Sequence, residues 1–410
     1  MSAPAASERL DLIEAIQQLE GRVDPVPDVE LVTIAEAQGR VLAEPAVAPV
    51  SLPPFAASAM DGYAYGSGSC SAQRPLRIVG VAAAGHPLSD PVPAQCCVRI
   101  MTGAALPPAT DTVVIQENVT HDGTEIRIET QPDPGANVRQ PGHDISVGQQ
   151  LLPDRRRLTA FDIGLLNAAG IAQLKVRRRV RLALFSSGDE LIAPGSPLAA
   201  GQIYDSNRAL LRSLLHAEPV TITTEDWLPD DPTHIEQALN ACSNADLILS
   251  SGGVSVGDTD HLGRLLKANG ELGFWRLNLK PGKPVAFGRF GSAWMLGLPG
   301  NPVSTAITGL LLAQPLIRAL AGAMPSRPRA FPVQLKSEIQ RKPGREEYQR
   351  GQLIAQQDGT LEVQPTGDQS SNRLSTFTAA DCLLRLEKDR GSYRAGEWVE
   401  VLPLQGLVGS

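Results

Sequence analysis

Asp246-Leu-Ile-Leu-Ser-Ser-Gly-Gly-Val-Ser-Val-Gly-Asp-Thr-Asp260 is the stretch of sequence around which the chain is organised. The apolar run from Leu247 to Leu249 has the length of a buried strand, and a loop with glycines and carboxylates follows it. Residues 261–269 then have the apolar spacing of a helix, which Gly270 would end. A strand, a glycine loop and a helix N-terminus together offer backbone N–H groups and a partial positive charge, which is how many proteins bind phosphate.

The acidic side chains beside this loop admit two interpretations. A divalent cation between the carboxylates and a phosphate would explain them, because hard cations take oxygen ligands from both sides. Alternatively, the loop is a tight turn between a strand and a helix, and its glycines serve only the backbone geometry. The stretch by itself favours neither interpretation.

Strands and helices alternate on both sides of this stretch. Short β-favouring runs over 180–185, 220–224, 247–249 and 293–298 are separated by helical patterns over 207–216, 233–242 and 261–269. Such alternation indicates a parallel sheet between helices, with ligands at the carboxyl ends of the strands. The polar segments 186–190, 250–260 and 297–301 all follow strands, so we expect them to meet at one edge of the sheet.

The longest helical pattern closes this region. Asn301 is a suitable N-cap, Pro302 stands at the first helical position, and the pattern continues to Gly322. Pro315 within it predicts a kink or a break, because proline donates no backbone N–H.

The sequence before this region predicts helices and then a β domain. Helical patterns cover 7–21, with Ser7 as a possible N-cap, and 30–42. Prolines over 45–54 mark a boundary, and short β runs follow over 76–129. The turn His121-Asp-Gly-Thr124 predicts a hairpin between the runs 112–115 and 125–129.

The sequence predicts one more helix after the inserted β runs and one more β domain after the α/β region. A helix over 158–170, with Thr159 as a possible cap, suggests that the chain leaves one domain, makes an insertion and returns. The linker Pro325-Ser-Arg-Pro-Arg329 separates a last domain, in which the turn Gln357-Asp-Gly-Thr360 and alternating residues predict a small β barrel or sandwich.

Composition excludes several classes of protein. The 410 residues suggest two to four domains. The net charge of −7 argues against a general nucleic-acid binder. No apolar run reaches the length of a membrane span, and residues 1–8 lack the apolar region of a signal peptide. The five scattered cysteines indicate reduced thiols and a cytoplasmic protein, with Cys96 and Cys97 as packing residues.

Two lysines are the strongest local signal for chemistry. Lys280-Pro-Gly-Lys-Pro284 places them on a stiff turn, which suits a polyanion. A solvated turn is the alternative, but the position near the glycine loop favours binding. In Ser187-Gly-Asp-Glu190, the local pattern slightly favours a capping box over a metal-binding role for Glu190. For Asp230 and Asp231 it favours turn and cap residues over carboxylates of a site at the sheet edge.

No covalent nucleophile is evident in the sequence. The six histidines show no metal-ligand spacing, and nucleophile-elbow and Walker-type motifs are lacking. An enzyme of this sequence would therefore act by holding anions and a metal ion in place. Asp61, Thr102, Arg139 and Asp144 carry no local signal of their own.

Six motifs that occur in a fixed order indicate a protein family far more specifically than any one of them does. They are Ser58-Ala-Met-Asp-Gly-Tyr-Ala64, Met101-Thr-Gly-Ala104, Ser187-Gly-Asp-Glu-Leu191, Ser251-Gly-Gly-Val-Ser-Val-Gly-Asp-Thr-Asp260, Lys280-Pro-Gly-Lys-Pro284 and Leu298-Pro-Gly-Asn-Pro-Val-Ser304. With these motifs the chain resembles the molybdopterin molybdenumtransferases, the family that includes the E domain of gephyrin. The resemblance runs from about residue 7 to the C-terminus.

The resemblance implies a multidomain fold that is α/β plus β, in a homodimer. It implies an elongated arm (22–46 and 141–178), an inserted small β domain (47–140), a parallel α/β molybdopterin-binding domain (7–21 and 179–326) and a C-terminal β-barrel domain (327–410).

The resemblance also implies a reaction. Molybdate is inserted into adenylylated molybdopterin, and AMP and molybdenum cofactor are released with Mg²⁺ as cofactor. The catalytic residues implied are Asp61, Thr102, Asp144, Glu190, Asp230, Asp260 and Lys280, of which Glu190, Asp230 and Asp260 would bind the metal. The substrate-binding residues implied are Arg139, Ser251, Gly252, Gly253, Ser255, Gly257, Arg276, Lys283, Pro299, Pro302 and Ser371. Asp61, Thr102, Arg139 and Asp144 lie in or beside the inserted domain, so the partner subunit could supply them.

Partners and alternatives follow from the same resemblance. A molybdopterin adenylyltransferase and apo molybdoenzymes are expected as transient partners, with no nucleic acid and no membrane. The alternatives are a molybdopterin adenylyltransferase, which has a similar Ser-Gly-Gly loop but lacks the other domains, and a non-enzymatic scaffold. The chain departs from the family pattern at His143, Asp258 and Arg276, where glutamate, glutamate and lysine are common.

Overall fold

The computed structural model describes residues 9–69, 71, 74–253 and 273–405. The first strands are β1 (Arg9–Leu10), β2 (Val29–Thr33), β3 (Ala46–Val47), β4 (Ala57–Ser58), β5 (Gly62–Tyr65), β6 (Leu76–Ala82), β7 (Cys96–Ile100), β8 (Thr112–Ile115), β9 (Val119–His121), β10 (Glu125–Ile128), β11 (Val138–Arg139), β12 (Gln150–Leu152) and β13 (Gln173–Arg177). The later ones are β14 (Val180–Ser187), β15 (Leu191–Ile192), β16 (Ile203–Tyr204), β17 (Val220–Leu228), β18 (Leu247–Ser251), β19 (Gly273–Leu277), β20 (Leu279–Lys280), β21 (Pro284–Phe290), β22 (Ala293–Leu298), β23 (Phe331–Leu335), β24 (Glu346–Ala355), β25 (Leu361–Pro365), β26 (Cys382–Leu386) and β27 (Trp398–Pro403). The α-helices of the described residues are α1 (Leu12–Arg22), α2 (Ala160–Ala168), α3 (Asn207–Leu215), α4 (Pro232–Ala241), α5 (Pro302–Thr308) and α6 (Gln314–Leu320).

A seven-stranded sheet forms the centre of the α/β region, in the order β1-β19-β21-β22-β18-β14-β17. Strands β22, β18, β14 and β17 are parallel, as predicted. The sheet is mixed rather than purely parallel, because β21 runs antiparallel to both β19 and β22. The hairpin β21–β22 needs only a short turn at Gly291, whereas a parallel connection would need a crossover.

Both faces of this sheet are covered. Leu182, Leu184 and Leu249 pack in the same core as residues of α1, α3, α5 and α6. Phe185 and Ile248 point to the other face, where they pack with residues of α4. Strands buried on both faces have continuous apolar runs, which explains the sequence of β14 and β18.

The N-terminal helix begins later than predicted. Residues 9–10 form β1, which pairs with β19 at the edge of the sheet, so α1 starts at Leu12. Asp11 is its N-cap, and its backbone N–H donates to Glu14 Oε2 at 3.1 Å. Ser7, the cap predicted from the sequence, lies outside the described residues.

The predicted helix over 30–42 is wrong. Val29–Thr33 is strand β2, paired antiparallel with β13, and only Ile34–Glu36 forms a 3₁₀ turn. The residues that suggested a helix lie instead in a strand whose partner is more than 130 residues away in sequence. No local pattern reveals such a pairing. With α2, these strands form the small apolar core of the arm.

The predicted helix after the insertion is confirmed as α2, with Thr159 as its N-cap. Asp162 accepts hydrogen bonds from the Thr159 N–H and hydroxyl, both at 2.8 Å, and pairs with Arg156 at 3.0 Å. Burial opposes its ionisation, but the bonds from Arg156 and Thr159 outweigh this and hold the pKa of the Asp162 carboxyl below its ordinary value.

Asp162→Asn is therefore expected to lower the free energy of unfolding by about 2 kcal/mol at pH 7. A lowered pKa in the folded state stabilises above the ordinary carboxyl pKa of 3.8, and this contribution is lost as the pH falls through the folded value. Chemical unfolding of both proteins at pH 7 and pH 3 measures the difference, which should shrink at the lower pH. Asp154→Asn, which changes an exposed residue of the same segment, should alter the free energy of unfolding at neither pH. Equal losses of this free energy in both variants would contradict the prediction.

The last helix of the α/β region is interrupted before Pro315. A π-helical turn, Gly309–Ala313, separates α5 from α6, so the helix axis continues with a local irregularity. The span Pro302–Leu320 is long and apolar enough to cross a membrane by length and composition alone. However, 89% of it is buried within the protein, as in a core helix.

The two β domains have the predicted character. The inserted domain contains a sheet in the order β8-β5-β7-β6-β10-β9. The turn predicted at 121–124 does form a hairpin, but its first strand is β9 and not the predicted run 112–115, because β8 pairs with β5 instead. Strands β24, β25, β23, β27 and β26 close into a barrel through the β24–β26 pairing, so the C-terminal domain is a barrel and not a sandwich. Cys96 and Cys97 are buried in the inserted domain, as packing residues. The domain limits proposed from the sequence remain predictions.

Candidate functional site

A cleft of about 900 Å³ lies between the carboxyl edge of the central sheet and the C-terminal barrel. Its lining includes Ser187, Gly188, Glu190, Asp205, Asn207, Asp230, Ser251, Gly252, Gly253, Lys280, Lys283, Pro299, Gly300, Pro302, Arg345, Glu347, Ser370 and Ser371. The described parts of the three polar segments that follow strands therefore meet here, as expected.

Strand register explains why these loops meet. Ser251 at the end of β18 lies beside Ser186 of β14 on one side and Leu298 of β22 on the other. The Gly252 N–H then donates to the Leu298 carbonyl oxygen at 3.0 Å, which ties the glycine loop to the next segment. Parallel strands that end at one level present their loops to one space.

Gly252 occupies a position that only glycine fits. Its φ is +89°, and a Cβ there would lie 2.6 Å from the Ser187 carbonyl oxygen. Both features are backbone constraints, so neighbouring side chains cannot relieve them.

Gly252→Ala is expected to lower the free energy of unfolding by at least about 2 kcal/mol and to abolish activity at the cleft. Gly291→Ala is the matched control, because Gly291 also has a positive φ of +58° but nothing within 4 Å of its Cβ position. In the control variant, the free energy of unfolding should fall by only about 1 kcal/mol and the activity should be kept. Chemical unfolding and activity assays of both variants measure this. Equal behaviour of the two would show that contact with Ser187 has no role.

The structure distinguishes helix caps from cleft residues among the carboxylates that follow β14 and β17. The segment after Ser187 forms a turn and then strand β15, so Glu190 is not part of a helix cap and instead lines the cleft. Asp231 is the N-cap of α4 and accepts from the N–H groups of Thr233 and His234. Asp230 lines the cleft, and its N–H donates to Asp189 Oδ1 at 2.9 Å.

The donors available for a metal ion are incomplete in the part of the chain that the structure describes. Glu190 and Asp230 share the cleft, and their carboxylates are the ligand type that Mg²⁺ prefers. Within the described residues, no group of three or more His, Cys, Asp or Glu side chains forms a metal site. Asp260, the third ligand implied by the sequence, lies outside those residues, as do Ser255 and Gly257.

The positive side of the cleft comes from two domains. Lys280 is the last residue of β20, Lys283 lies in the turn that follows, and Arg345 comes from the C-terminal domain. Lys280 Nζ lies 3.0 Å from Glu347 Oε1. Lys283 is exposed. No local sequence pattern indicated Arg345 or Glu347 as a site residue, because nothing local connects residues 280 and 347.

Ser371 also reaches the cleft from the C-terminal domain. The Val303 N–H donates to the Ser371 carbonyl oxygen at 3.1 Å, which fixes this segment against the start of α5. Arg350, completely buried, donates to the carbonyl oxygens of Asp368, Gln369 and Ser370. Asp205, Asn207 and Ser370 are further lining residues that the sequence analysis did not identify.

Several predicted site residues are not in the cleft of this chain. Arg276 is exposed on β19 and does not line the cleft. In the inserted domain, Asp61 Oδ1 accepts from the Thr102 N–H at 2.7 Å and its hydroxyl at 2.8 Å. These two bonds hold the pKa of the Asp61 carboxyl below its ordinary value.

Two more of these residues are held by the segment that precedes Asp61 in sequence. Arg139 on β11 pairs with Ala57 of β4. Asp144 is exposed, and its N–H donates to the Leu52 carbonyl oxygen at 3.0 Å. Neither lines the cleft.

A larger cleft, of about 1100 Å³, lies where the arm, the α/β region and the linker 325–329 meet. Its wall is rich in arginines, several of which have acidic partners: Arg156 with Asp162, Arg157 and Arg318 with Glu218, and Arg327 with Glu20. Except for Arg156–Asp162, these pairs connect segments that are distant in sequence. None of the predicted site residues lies there, so the smaller cleft is the candidate functional site.

Comparison with known proteins places the chain among molybdenum cofactor proteins. Residues 10–170 match the family "MoeA N-terminal region (domain I and II)", 183–319 match "Probable molybdopterin binding domain" and 332–404 match "MoeA C-terminal region (domain IV)". A molybdopterin molybdenumtransferase of Haemophilus influenzae is 39% identical over 94% of this chain and 96% of that protein. One from Nostoc is 35% identical over 96% of this chain and 93% of its own.

A solved structure supports the same relationship. The molybdopterin biosynthesis moeA protein of Pyrococcus horikoshii OT3 superimposes with a TM-score of 0.80 at 26% identity. The match covers 97% of this chain and all of the other, so it includes every domain described above.

Proposed function

We propose that this chain, which belongs to the molybdopterin molybdenumtransferase family, inserts molybdate into adenylylated molybdopterin in the 900 Å³ cleft and releases AMP. The observation that carries the proposal is the meeting of a glycine loop, two lysines and an arginine, and two carboxylates in one cleft at the carboxyl edge of the sheet.

Charge is the main obstacle to this reaction. Molybdate is a dianion, and its acceptor already carries phosphates, so the two repel each other. Lys280, Lys283 and Arg345 supply three positive charges on one side of the cleft. Fixed cations in a partly enclosed space lower the free energy of bringing the anions together more than mobile ions in water do.

The glycine loop supplies the neutral part of the binding site. The backbone lines the cleft at Ser251, Gly252 and Gly253. Because the two glycines have no side chain, a ligand can approach the backbone there. Glu190 and Asp230, with Asp260, would hold Mg²⁺, which supplies further neutralisation of phosphate charge as the bond to AMP breaks.

We also propose a homodimer in which the partner's inserted domain completes each site. Asp61, Thr102, Arg139 and Asp144 lie outside the cleft of their own chain. The arm exposes large apolar side chains, including Leu31 at 63%, Val147 at 63% and Phe161 at 91%. Exposed apolar side chains of this number on one small domain favour an interface.

Complementation tests the shared site. Asp61→Asn and Lys280→Ala chains, each with little activity alone, should regain about a quarter to half of the wild-type activity when they are co-expressed and form mixed dimers. Continued inactivity of verified mixed dimers would show that both residues act within one chain.

Cellular context completes the proposal. We expect a cytoplasmic enzyme that receives adenylylated molybdopterin from an adenylyltransferase and passes the product to apo molybdoenzymes. Neither nucleic acid nor membrane is expected to take part.

The test of the reaction is incubation with adenylylated molybdopterin, molybdate and Mg²⁺. Molybdate-dependent AMP release and activation of an apo molybdoenzyme are the expected results. ATP-dependent adenylylation of molybdopterin instead would identify an adenylyltransferase. Folded protein without either activity would support the scaffold alternative.

A further inference from the structure

We propose that Glu347, in the C-terminal barrel, is a positioning residue that holds the Lys280 ammonium group at the wall of the cleft. The inference rests on the proposed function, because it concerns how the cation that receives the anionic substrate is placed. It assigns the C-terminal domain a direct part in the chemistry of the α/β domain.

The register of two strands brings the pair together. Strand β20 adds to the barrel by pairing in parallel with β24, and Lys280 lies opposite Glu347. Lys280 Nζ is 3.0 Å from Glu347 Oε1. The lysine side chain is 49% exposed and the glutamate side chain 5%, so the ammonium faces the cleft while its partner is enclosed by protein.

Other groups hold the carboxylate independently of the lysine. Arg341 Nε lies 3.3 Å from Glu347 Oε2, and Gln349 Nε2 donates to Oε1 at 3.0 Å. Arg341 is itself buried and donates to the carbonyl oxygens of Arg345, Glu387 and Arg390. Glu347 is therefore a fixed reference point for the more mobile lysine.

This arrangement has two consequences for the reaction of an anion. A free lysine would lose side-chain entropy on reaching the position that the transition state requires, whereas Lys280 is already restrained by Glu347. The ammonium has three donors, so contact with one carboxylate oxygen leaves others for a ligand. Two cations, Lys280 and Arg341, share one carboxylate, so the group keeps a net positive charge towards the cleft.

Chemical labelling of Lys280 tests the contact without any assumption about the reaction. Amine acetylation requires the Lys280 nitrogen to leave its contact with Glu347 Oε1 and meet the reagent, so the contact protects the lysine. In Glu347→Gln, the labelling rate of Lys280, measured by mass spectrometry, should rise about fivefold, while the rate of Lys283 stays unchanged. Glu346→Gln is the matched control, because Glu346 is the neighbouring residue in β24 but pairs with Arg385.

Kinetics test the positioning role. Glu347→Gln should lower kcat about tenfold without raising KM for molybdate, since positive charge in the cleft is not reduced. In a Lys280→Ala background the same change should have no further effect on kcat, because Glu347 acts through Lys280. Glu346→Gln should leave kcat unchanged.

The outcomes separate this inference from the proposed function. Unchanged labelling of Lys280 in a folded Glu347→Gln protein, or additive effects in the double variant, would overturn the positioning role. Absence of AMP release by the wild-type protein would overturn the proposed function, while the labelling result would still decide the contact. If Glu347→Gln does not fold, Glu347→Asp keeps the charge beside Arg341 but withdraws from Lys280 and should give the same rise in labelling.

Discussion

Replacement of Lys280 by alanine is expected to lower kcat for molybdate-dependent AMP release by about 100-fold or more. Lys280 is the cleft cation whose position is fixed by a buried carboxylate, so its charge is held where the anions must meet. Glu347 keeps its contacts with Arg341 and Gln349 in the variant, so the fold should survive. Steady-state kinetics and a thermal melt of the same preparation measure both effects.

Two other lysines provide the comparison for this variant. Lys283→Ala removes an exposed cation of the same turn and should raise KM for molybdate with a smaller loss of kcat, about tenfold or less. Lys336→Ala, on the exposed surface outside the cleft, should be neutral. A folded Lys280→Ala protein with kcat within a few-fold of wild type would contradict the assigned role.

Replacement of Arg350 by methionine is expected to lower the free energy of unfolding by about 3 kcal/mol or more. The guanidinium is completely buried and donates to three consecutive carbonyl oxygens, those of Asp368, Gln369 and Ser370. It also donates to Thr376 Oγ1 at 2.9 Å. Methionine has a similar length but no donor, so these acceptors would lose their partner.

The same change should reduce activity, because residues 369–372 line the cleft. Chemical unfolding measures the stability, and proteolysis of the 366–378 segment measures its local order. Arg373→Met is the control: its side chain is 60% exposed and pairs with exposed Asp368, so it should change stability by no more than about 0.5 kcal/mol. Equal losses from the two variants would show that burial of Arg350 has no special effect.

Much of the α/β region could be predicted from the sequence because its signals are local. Strand β22 and the helix start at Pro302 agree with the predicted limits to the residue. Short apolar runs and glycines report strands and turns directly, since burial on both faces leaves little choice of residue. The Thr159 cap of α2 was predictable for the same local reason.

The errors occurred where long-range pairing decided the structure. Residues 30–42 have an acceptable helical pattern, but β13 holds Val29–Thr33 in a strand. Ser187-Gly-Asp-Glu190 has the spacing of a capping box, but the chain turns into β15 there. Local propensity differs between such alternatives by less than the free energy gained from packing and pairing with a distant segment.

The feature from which the sequence analysis began shows the same division. The sequence by itself predicted a buried strand from Leu247 to Leu249 and a glycine loop after it, and the structure has the strand over Leu247–Ser251. It left open whether that loop binds phosphate or is only a tight turn. Only the tertiary structure decided which distant groups share that space: Asp230 rather than Asp231, Glu190 as a cleft residue, and Arg345 and Glu347 opposite the lysines. The physical reason is that backbone conformation depends mainly on neighbours in sequence, whereas the charge of a site depends on strand register and domain contacts between residues far apart in the chain.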